Sequence, residues 1–155
     1  KDIRNYILDL RPQRFQGKDL ATGLCELGRA FHANTLIQVD MHVEPGGDLG
    51  LTPTQASGLF HIAQETLANV AKHARASSVR VKLYHDGRSI YMAIEDDGRG
   101  YDPSNVTRYE GHGLSNMEAR ARVLGGKLII TSAPGQGTRV EVRLPTHEAG
   151  ERFGA

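Results

Sequence analysis

The stretch T-P-T-Q-A-S-G-L-F-H-I-A-Q-E-T-L-A-N-V-A-K-H-A-R-A, Thr52 to Ala76, decides how the rest of the chain is read. Thr52 stands before Pro53, with Gln55 three residues further on. This is the pattern of a capping box with proline at the first helical position, where its missing N–H costs nothing. Beyond it the apolar residues recur at the helical period. Leu59, Ala63, Leu67, Val70 and Ala71 share one face, with Phe60 beside them. Glu65, Asn69, Lys72 and His73 gather on the opposite side, each within about a turn of the next along the axis. A carboxylate, an amide, an ammonium and an imidazole in a row can hold a metal ion and phosphate oxygens. On the helix alone an ordinary solvated face accounts for them at least as well, so the decision falls to the flanking sequence.

Upstream, Lys1 to Leu10 carries Ile3, Tyr6, Ile7 and Leu10 at helical spacing, and Arg11-Pro12 ends it. So narrow a stripe fits either the tail of a longer helix packing on a partner helix or a short terminal helix of the same domain. After a connector containing Gly17, Asp19 can cap a helix to about Ala33, with Leu20, Leu24, Leu27 and Phe31 on its buried side. Thr35 to Val43 alternates in polarity as a half-buried strand does, and Pro45-Gly46-Gly47-Asp48 turns the chain toward Thr52.

Downstream the period switches to two. Val79, Val81 and Leu83 mark one strand, Asp86-Gly87 a hairpin turn, and Ile90, Met92 and Ile94 the next. That strand runs into Glu95-Asp96-Asp97-Gly98-Arg99-Gly100. Tyr101 to Glu110 is polar and predicts a mobile loop. Gly111-His112-Gly113 is expected just ahead of a helix from about Leu114 to Leu124, which Gly125-Gly126 ends. Two further strands, Lys127 to Ser132 and Thr138 to Leu144, are joined by Ala133-Pro134-Gly135-Gln136-Gly137, and a disordered tail is expected from 147 to 155.

Composition narrows the function classes. The chain has 155 residues, 39% hydrophobic and 24% charged, with a formal net charge of +1, enough for one domain with a sizeable core. Such a charge gives no bulk attraction to nucleic acid or an anionic membrane, so anion binding has to be local and no direct nucleic-acid partner is expected. The single cysteine, Cys25, excludes an intrachain disulfide and fits a reducing cytosol. No apolar run reaches membrane-spanning length. The start at Lys1, in the middle of a helical pattern, reads as a fragment, which leaves both a membrane-anchored and a soluble full-length protein open.

Neither glycine cluster is a P-loop or a dinucleotide fingerprint, because neither spacing occurs in the required context. Instead a carboxylate at a strand end, Asp96, precedes Asp97-Gly98-Arg99-Gly100. An acceptor there can take a hydrogen bond from an exocyclic amine such as that of adenine, while Gly98 and Gly100 let a ligand lie on backbone. Gly111-His112-Gly113 at a helix start can offer N–H groups to phosphates. Each cluster alone reads as readily as a turn. Their order and spacing carry the inference.

That ordered set resembles the ATP-binding domain of sensor histidine kinases, within the superfamily shared by gyrase, Hsp90, histidine kinases and MutL. Gln64 to Ala74 (Q-E-T-L-A-N-V-A-K-H-A) resembles the N box. Asp96 to Gly100 (D-D-G-R-G) resembles the first glycine box, Gly111 to Met117 (G-H-G-L-S-N-M) the second, and Gly135 to Arg139 (G-Q-G-T-R) the closing G-T motif. The lead-in R-x-Y-I-x-D-L-R-P, Arg4 to Pro12, and the short lid are similar to the nitrate-sensing and quorum-sensing subfamily, whose kinases are paired with DNA-binding regulators.

The resemblance implies an α+β two-layer sandwich, a mixed and mostly antiparallel sheet with three helices on one face. It implies residues 1–12 as a stub of the dimerisation helices and 13–146 as the catalytic domain. Asn69 is then the Mg²⁺ ligand, a hard amide oxygen for a hard cation. Asp96 accepts from the adenine amine with Thr138 close by, and Gly98 and Gly100 make room for base and ribose. Gly111, His112, Gly113 and Leu114 line the phosphates, with Lys72 and His73 in reach of them. Glu65 is the catalytic candidate, as water activator in the ATP-hydrolysing cousins or as an orienting group in a kinase. Two departures stand out: Ala119 replaces the glutamate usual before Arg120, and the phosphoacceptor histidine of the family lies upstream of Lys1. His32, His42, His61, His85 and His147 read as structural or exposed. The expected partners are ATP, the chain's own dimerisation helices in a homodimer, and a DNA-binding response regulator. An anti-sigma-factor-type serine kinase, a nucleotide-silent module of the same fold and an ATP hydrolase remain as alternatives.

Overall fold

The computed structural model describes residues 19–43, 50–101 and 108–145, with 108–115 as backbone only. The expected dimerisation stub at 1–12, the turn at 45–48 and the tail at 147–155 lie outside the described residues. Helix α1, Leu20–Thr35, starts where the sequence marks it: Asp19 Oδ1 accepts from the Thr22 N–H at 2.7 Å. It runs two residues past Ala33, and the Thr35 hydroxyl donates back to the Phe31 carbonyl at 2.7 Å. Thr35 therefore belongs to the helix, and strand β1 is shorter than the alternation predicts, Gln38–Val43.

Helix α2, Pro53–Asn69, opens on the predicted capping box. The Gln55 N–H donates to Thr52 Oγ1 at 3.0 Å, and the Thr52 N–H donates to Gln55 Oε1 at 3.0 Å. The Gln55 side chain also donates to the Leu124 carbonyl at 3.2 Å, tying this cap to the far end of the last helix. From Val70 to Ala74 the helix continues as a π turn, which closes at Arg75 with φ 54°. The 3.6-residue period does not anticipate this widening, in which each hydrogen bond spans five residues.

Strands β2, Ser78–His85, and β3, Ser89–Asp96, form a hairpin. Asp86 builds its turn by accepting from the N–H groups of Arg88 and Ser89, both at 2.9 Å. Helix α3 spans Arg108–Val123, so Arg108 to Glu110 are helical and not loop, and Gly111-His112-Gly113 lies within the helix instead of ahead of it. Gly125, φ 89°, and the Gly126 N–H bonded to the Ala121 carbonyl at 2.9 Å stop it as expected. Strands β4, Lys127–Ser132, and β5, Thr138–Pro145, complete one mixed sheet of order β1-β2-β3-β5-β4. Only β1 and β2 pair in parallel among the described strands.

One face of this sheet meets all three helices. Val79, Val81, Leu83, Ile90, Met92, Ile94, Val142 and Leu144 enter one core with Leu24 and Phe31 of α1, Leu59, Ile62 and Leu67 of α2, and Met117 and Ala121 of α3. Each of these side chains except Ala121 contributes about 1.5–3 kcal/mol of burial. The architecture is the expected two-layer α+β sandwich. Among the described residues no helix is long and apolar enough to cross a membrane.

The other face carries paired charges. Arg139 Nε lies 2.7 Å from Glu95 Oε2, Lys82 Nζ 3.4 Å from the same oxygen, and Arg80 reaches both Asp40 and Glu95 at 3.8 and 3.7 Å. These pairs straddle adjacent strands and hold the face at a low cost, each worth about 1 kcal/mol or less. Thr52→Ala, which removes one half of the capping box, is expected to lower stability by about 1 kcal/mol, read as a reduced urea midpoint at unchanged slope.

Candidate functional site

The strand alternation ends in a single polar row. On the helix-facing side, apolar residues repeat along β3 as Ile90, Met92 and Ile94, along β5 as Leu144, Val142 and Val140, and along β4 as Leu128 and Ile130. The next residue of that parity is Asp96, Thr138 and Ser132 respectively, and these three are cross-strand neighbours. Val79 and Val39 continue the row across β2 and β1. A carboxylate and two hydroxyls thus stand where packing would otherwise place aliphatic groups.

The two adjacent aspartates have different tasks. The Asp97 carboxylate accepts from the Ser77 and Ser78 N–H groups at 2.8 and 3.0 Å and from the Ser78 hydroxyl at 3.1 Å. Those bonds hold its pKa below the ordinary carboxylate range, and the residue fixes the loop. Asp96 is half-buried. Its Oδ1 accepts from the Gly98 N–H at 2.8 Å, and burial raises its pKa against the pull of the Gly98 and Thr138 N–H groups. This is the carboxylate with acceptor capacity left over in a partly dry setting, the property a base-recognition group needs.

Backbone contacts bring the loop after β3 onto the end of α2. The Arg99 N–H donates to the Ala74 carbonyl at 2.7 Å, and the Arg99 carbonyl accepts from the Gly135 N–H at 2.6 Å. Gly98 lies so close that an added Cβ would overlap the Ala74 carbonyl, and Gly100, φ 64°, faces the Ala133 carbonyl in the same way. The D-D-G-R-G glycines are therefore needed first for close approach of backbone to backbone. Tyr101 continues the seam, its N–H donating to Ser132 Oγ at 2.9 Å.

Glu65 and Lys72 are exposed, and Asn69 and His73 partly so, along the end of α2 and the π turn. Among the described residues the side chains of Glu65, Asn69 and Lys72 engage in no hydrogen bond or ion pair. The donor set fits the groups the resemblance implies. Asn69 offers a free amide oxygen suited to Mg²⁺, and Asp96 an acceptor for an amine. Helix α3 gives a different picture from the expected one. Only the first three helical residues have N–H groups without an internal acceptor, here Arg108 to Glu110, so those of Gly111, His112, Gly113 and Leu114 lie inside its bonding ladder.

Sequence reading missed Ser132, although its hydroxyl on core-facing parity after Leu128 and Ile130 was the available signal. It also missed the Ala74 carbonyl, which has no side-chain signature. A groove of about 460 Å³ at the same end of the sheet is lined by residues including Asp40, Val79, Arg80, Glu95, Asp96 and Asp97, so it reaches the polar row at Asp96. Of its carboxylates, Asp40, Glu95 and Asp97 are already paired with Arg80, Lys82, Arg139 and the Ser77–Ser78 backbone, which leaves Asp96 as the acceptor with spare capacity.

Residues 54–148 match the family model of the histidine kinase-, DNA gyrase B- and HSP90-like ATPases, and the chain belongs to that family. Among curated proteins it is 33% identical to the sensor histidine kinase LiaS of Bacillus subtilis, over 93% of this chain and 39% of that protein. It is 32% identical to the signal transduction histidine-protein kinase/phosphatase UhpB of Salmonella typhimurium, over 92% of this chain and 28% of that one. The chain thus spans well under half the length of these relatives. Among solved structures, a blue-light activated histidine kinase from Erythrobacter litoralis superposes with a TM-score of 0.70 at 24% identity, over 86% of this chain and 44% of the other. The mycobacterial sensor histidine kinase MprB gives 0.58 at 24% identity, over 81% and 91%. At that identity the structural likeness concerns the fold.

Two substitutions check this geometry. Gly98→Ala is expected to cost about 1–3 kcal/mol, because the obstacle is backbone and cannot swing aside. Asp96→Asn is expected to stabilise the fold at neutral pH. The folded-state pKa of Asp96 is raised, so burying its charge opposes folding above that pKa and ceases to do so below the unfolded value. The gap between variant and parent, followed by urea unfolding across pH, is expected to close as pH falls through the carboxylate range.

Proposed function

We propose that this domain binds Mg-ATP between the end of α2 and the polar row. It presents the γ-phosphoryl group to a histidine outside these 155 residues for relay to a response regulator. The observation that carries the reading is the placement of Asp96: a half-buried carboxylate with spare acceptor capacity, at the strand end that backbone hydrogen bonds fasten to the helix bearing Asn69. Family membership and the names of the relatives support the same conclusion.

In this reading Asp96 takes a hydrogen bond from the adenine amine, with Thr138 beside it. Asn69 is the protein's ligand to Mg²⁺, which when bound neutralises phosphate charge. Lys72 and His73 lie along the same helix edge within reach of the phosphate oxygens, Lys72 adding positive charge. The Gly111 N–H, the first inside the ladder of α3, becomes free to donate with the loss of a single helical bond. His112, Gly113 and Leu114 reach the phosphates through their N–H groups once the first turns of α3 unwind, and two glycines in that segment lower the cost by about 1 kcal/mol each relative to alanine. Glu65 orients the incoming imidazole. Transfer breaks the bond from the γ-phosphorus to its bridging oxygen and forms a phosphorus–nitrogen bond to the neutral imidazole, with ADP leaving. The protein's share is positioning and electrostatics. A DNA-binding regulator and homodimerisation through upstream helices complete the proposal.

Calorimetric titration with Mg-ATP tests it. The parent chain is expected to bind. Asp96→Asn and Asn69→Ala are each expected to weaken binding by about 10–100-fold, the worth of one hydrogen bond or ligand to a charged group. The Asn69→Ala loss is expected to vanish when EDTA replaces Mg²⁺. No binding by the parent chain overturns the reading in favour of a nucleotide-silent module. Steady phosphate release abolished by Glu65→Gln replaces kinase chemistry with hydrolysis.

A further inference from the structure

Ser132 closes the polar row, and its hydroxyl faces three partners. The Tyr101 N–H stands at 2.9 Å, the Gly137 carbonyl at 3.0 Å and Thr138 Oγ1 at 2.8 Å. A hydroxyl has one proton to give and two lone pairs to fill. The Tyr101 N–H can only donate, so it occupies one lone pair. The Gly137 carbonyl can only accept, so it takes the serine proton. What remains is the second lone pair, and Thr138 fills it by donating its own hydroxyl proton. The opposite arrangement, with Ser132 donating to Thr138, sets two bare oxygens against each other at 3.0 Å and leaves the Gly137 contact without a proton.

We infer that Ser132 is a specificity-determining residue of the nucleotide site: by holding the Thr138 proton it turns the threonine hydroxyl into a pure acceptor beside the Asp96 carboxylate. Thr138 and Asp96 are cross-strand partners on the same face, so the two acceptors stand side by side. This edge offers no proton to a ligand. A 6-amino purine brings N–H donors to it, directly or through one water. A 6-keto purine puts an oxygen at that position and its one N–H on the neighbouring ring nitrogen, so one acceptor of the pair is left facing an acceptor, the kind of mismatch that discriminates most strongly. The inference deepens the Mg-ATP reading and rests on it. Ser132 touches Thr138 and the backbone, so it acts as a positioning residue.

The test compares the dissociation constants of ATP and inosine triphosphate, which differs in carrying a 6-keto group, by calorimetry with Mg²⁺. In the parent chain ATP is expected to be the tighter ligand. Ser132→Ala frees the Thr138 proton, which can then rotate toward the ligand and donate to the keto oxygen. The ratio of the two constants is expected to fall about tenfold, and Ser132→Thr, which keeps the hydroxyl, to restore it. Equal weakening of both nucleotides in Ser132→Ala reduces the residue to a structural role and overturns the inference while the Mg-ATP reading stands. Binding of neither nucleotide by the parent overturns both. Should Ser132→Ala fail to fold, Ser132→Cys, close in shape but a weak donor and acceptor, carries the same comparison.

Discussion

The carbonyl of Ala74 is the constraint on which the site depends. It sits at the last residue of the π turn and receives the Arg99 N–H, while Gly98 lies against it too closely for any side chain. An unsatisfied buried carbonyl is costly, so this bond fixes the loop after β3 relative to α2 more firmly than a side-chain contact would. Arg99 then passes the constraint on, since its own carbonyl receives the Gly135 N–H from the β4–β5 turn. Two loops and a helix end thus form one backbone-bonded unit, and the side chains of Asp96 and Thr138 inherit their positions from it.

Much of this arrangement was legible in the chain. The Thr52–Gln55 capping box, the Asp19 cap, the Asp86-Gly87 turn and the Gly125 stop are local devices, each needing only neighbouring residues, and all lie where the pattern puts them. Strand parity also carried through, because a residue that faces the helices has to be apolar unless something else recruits it. The same rule exposes Asp96, Thr138 and Ser132 as the places where it is broken. What escaped the reading depends on contacts distant in sequence. Two glycines near the start of α3 argue for a loop on propensity alone, yet the helix begins at Arg108. The π turn has no signature in periodicity, since five residues are too few to define a period.

The two faces of the sheet divide the work. The helix-facing side supplies apolar burial and ends in the polar row, while the open side is stitched by Glu95 with Arg80, Lys82 and Arg139. Burial pushes the Glu95 pKa upward, but Arg139 and Lys82 outweigh it and hold the group below the usual range. Glu141, only 8% exposed although it points away from the helices, lies beside Arg139 in the same network. Long charged side chains lying flat across the strands therefore shield Ala93, which is 0% exposed on a face that no described helix covers.

The π turn between Asn69 and Arg75 has a consequence for how such a site can change over evolutionary time. It holds one residue more than a regular helix needs to span the same bonding distance, so it behaves as a spacer between the Asn69 side chain and the Ala74 carbonyl. Losing that residue would leave a regular helix while rotating the Ala74 carbonyl against Asn69. A scaffold and the site it carries are thus separable within this one segment of five residues.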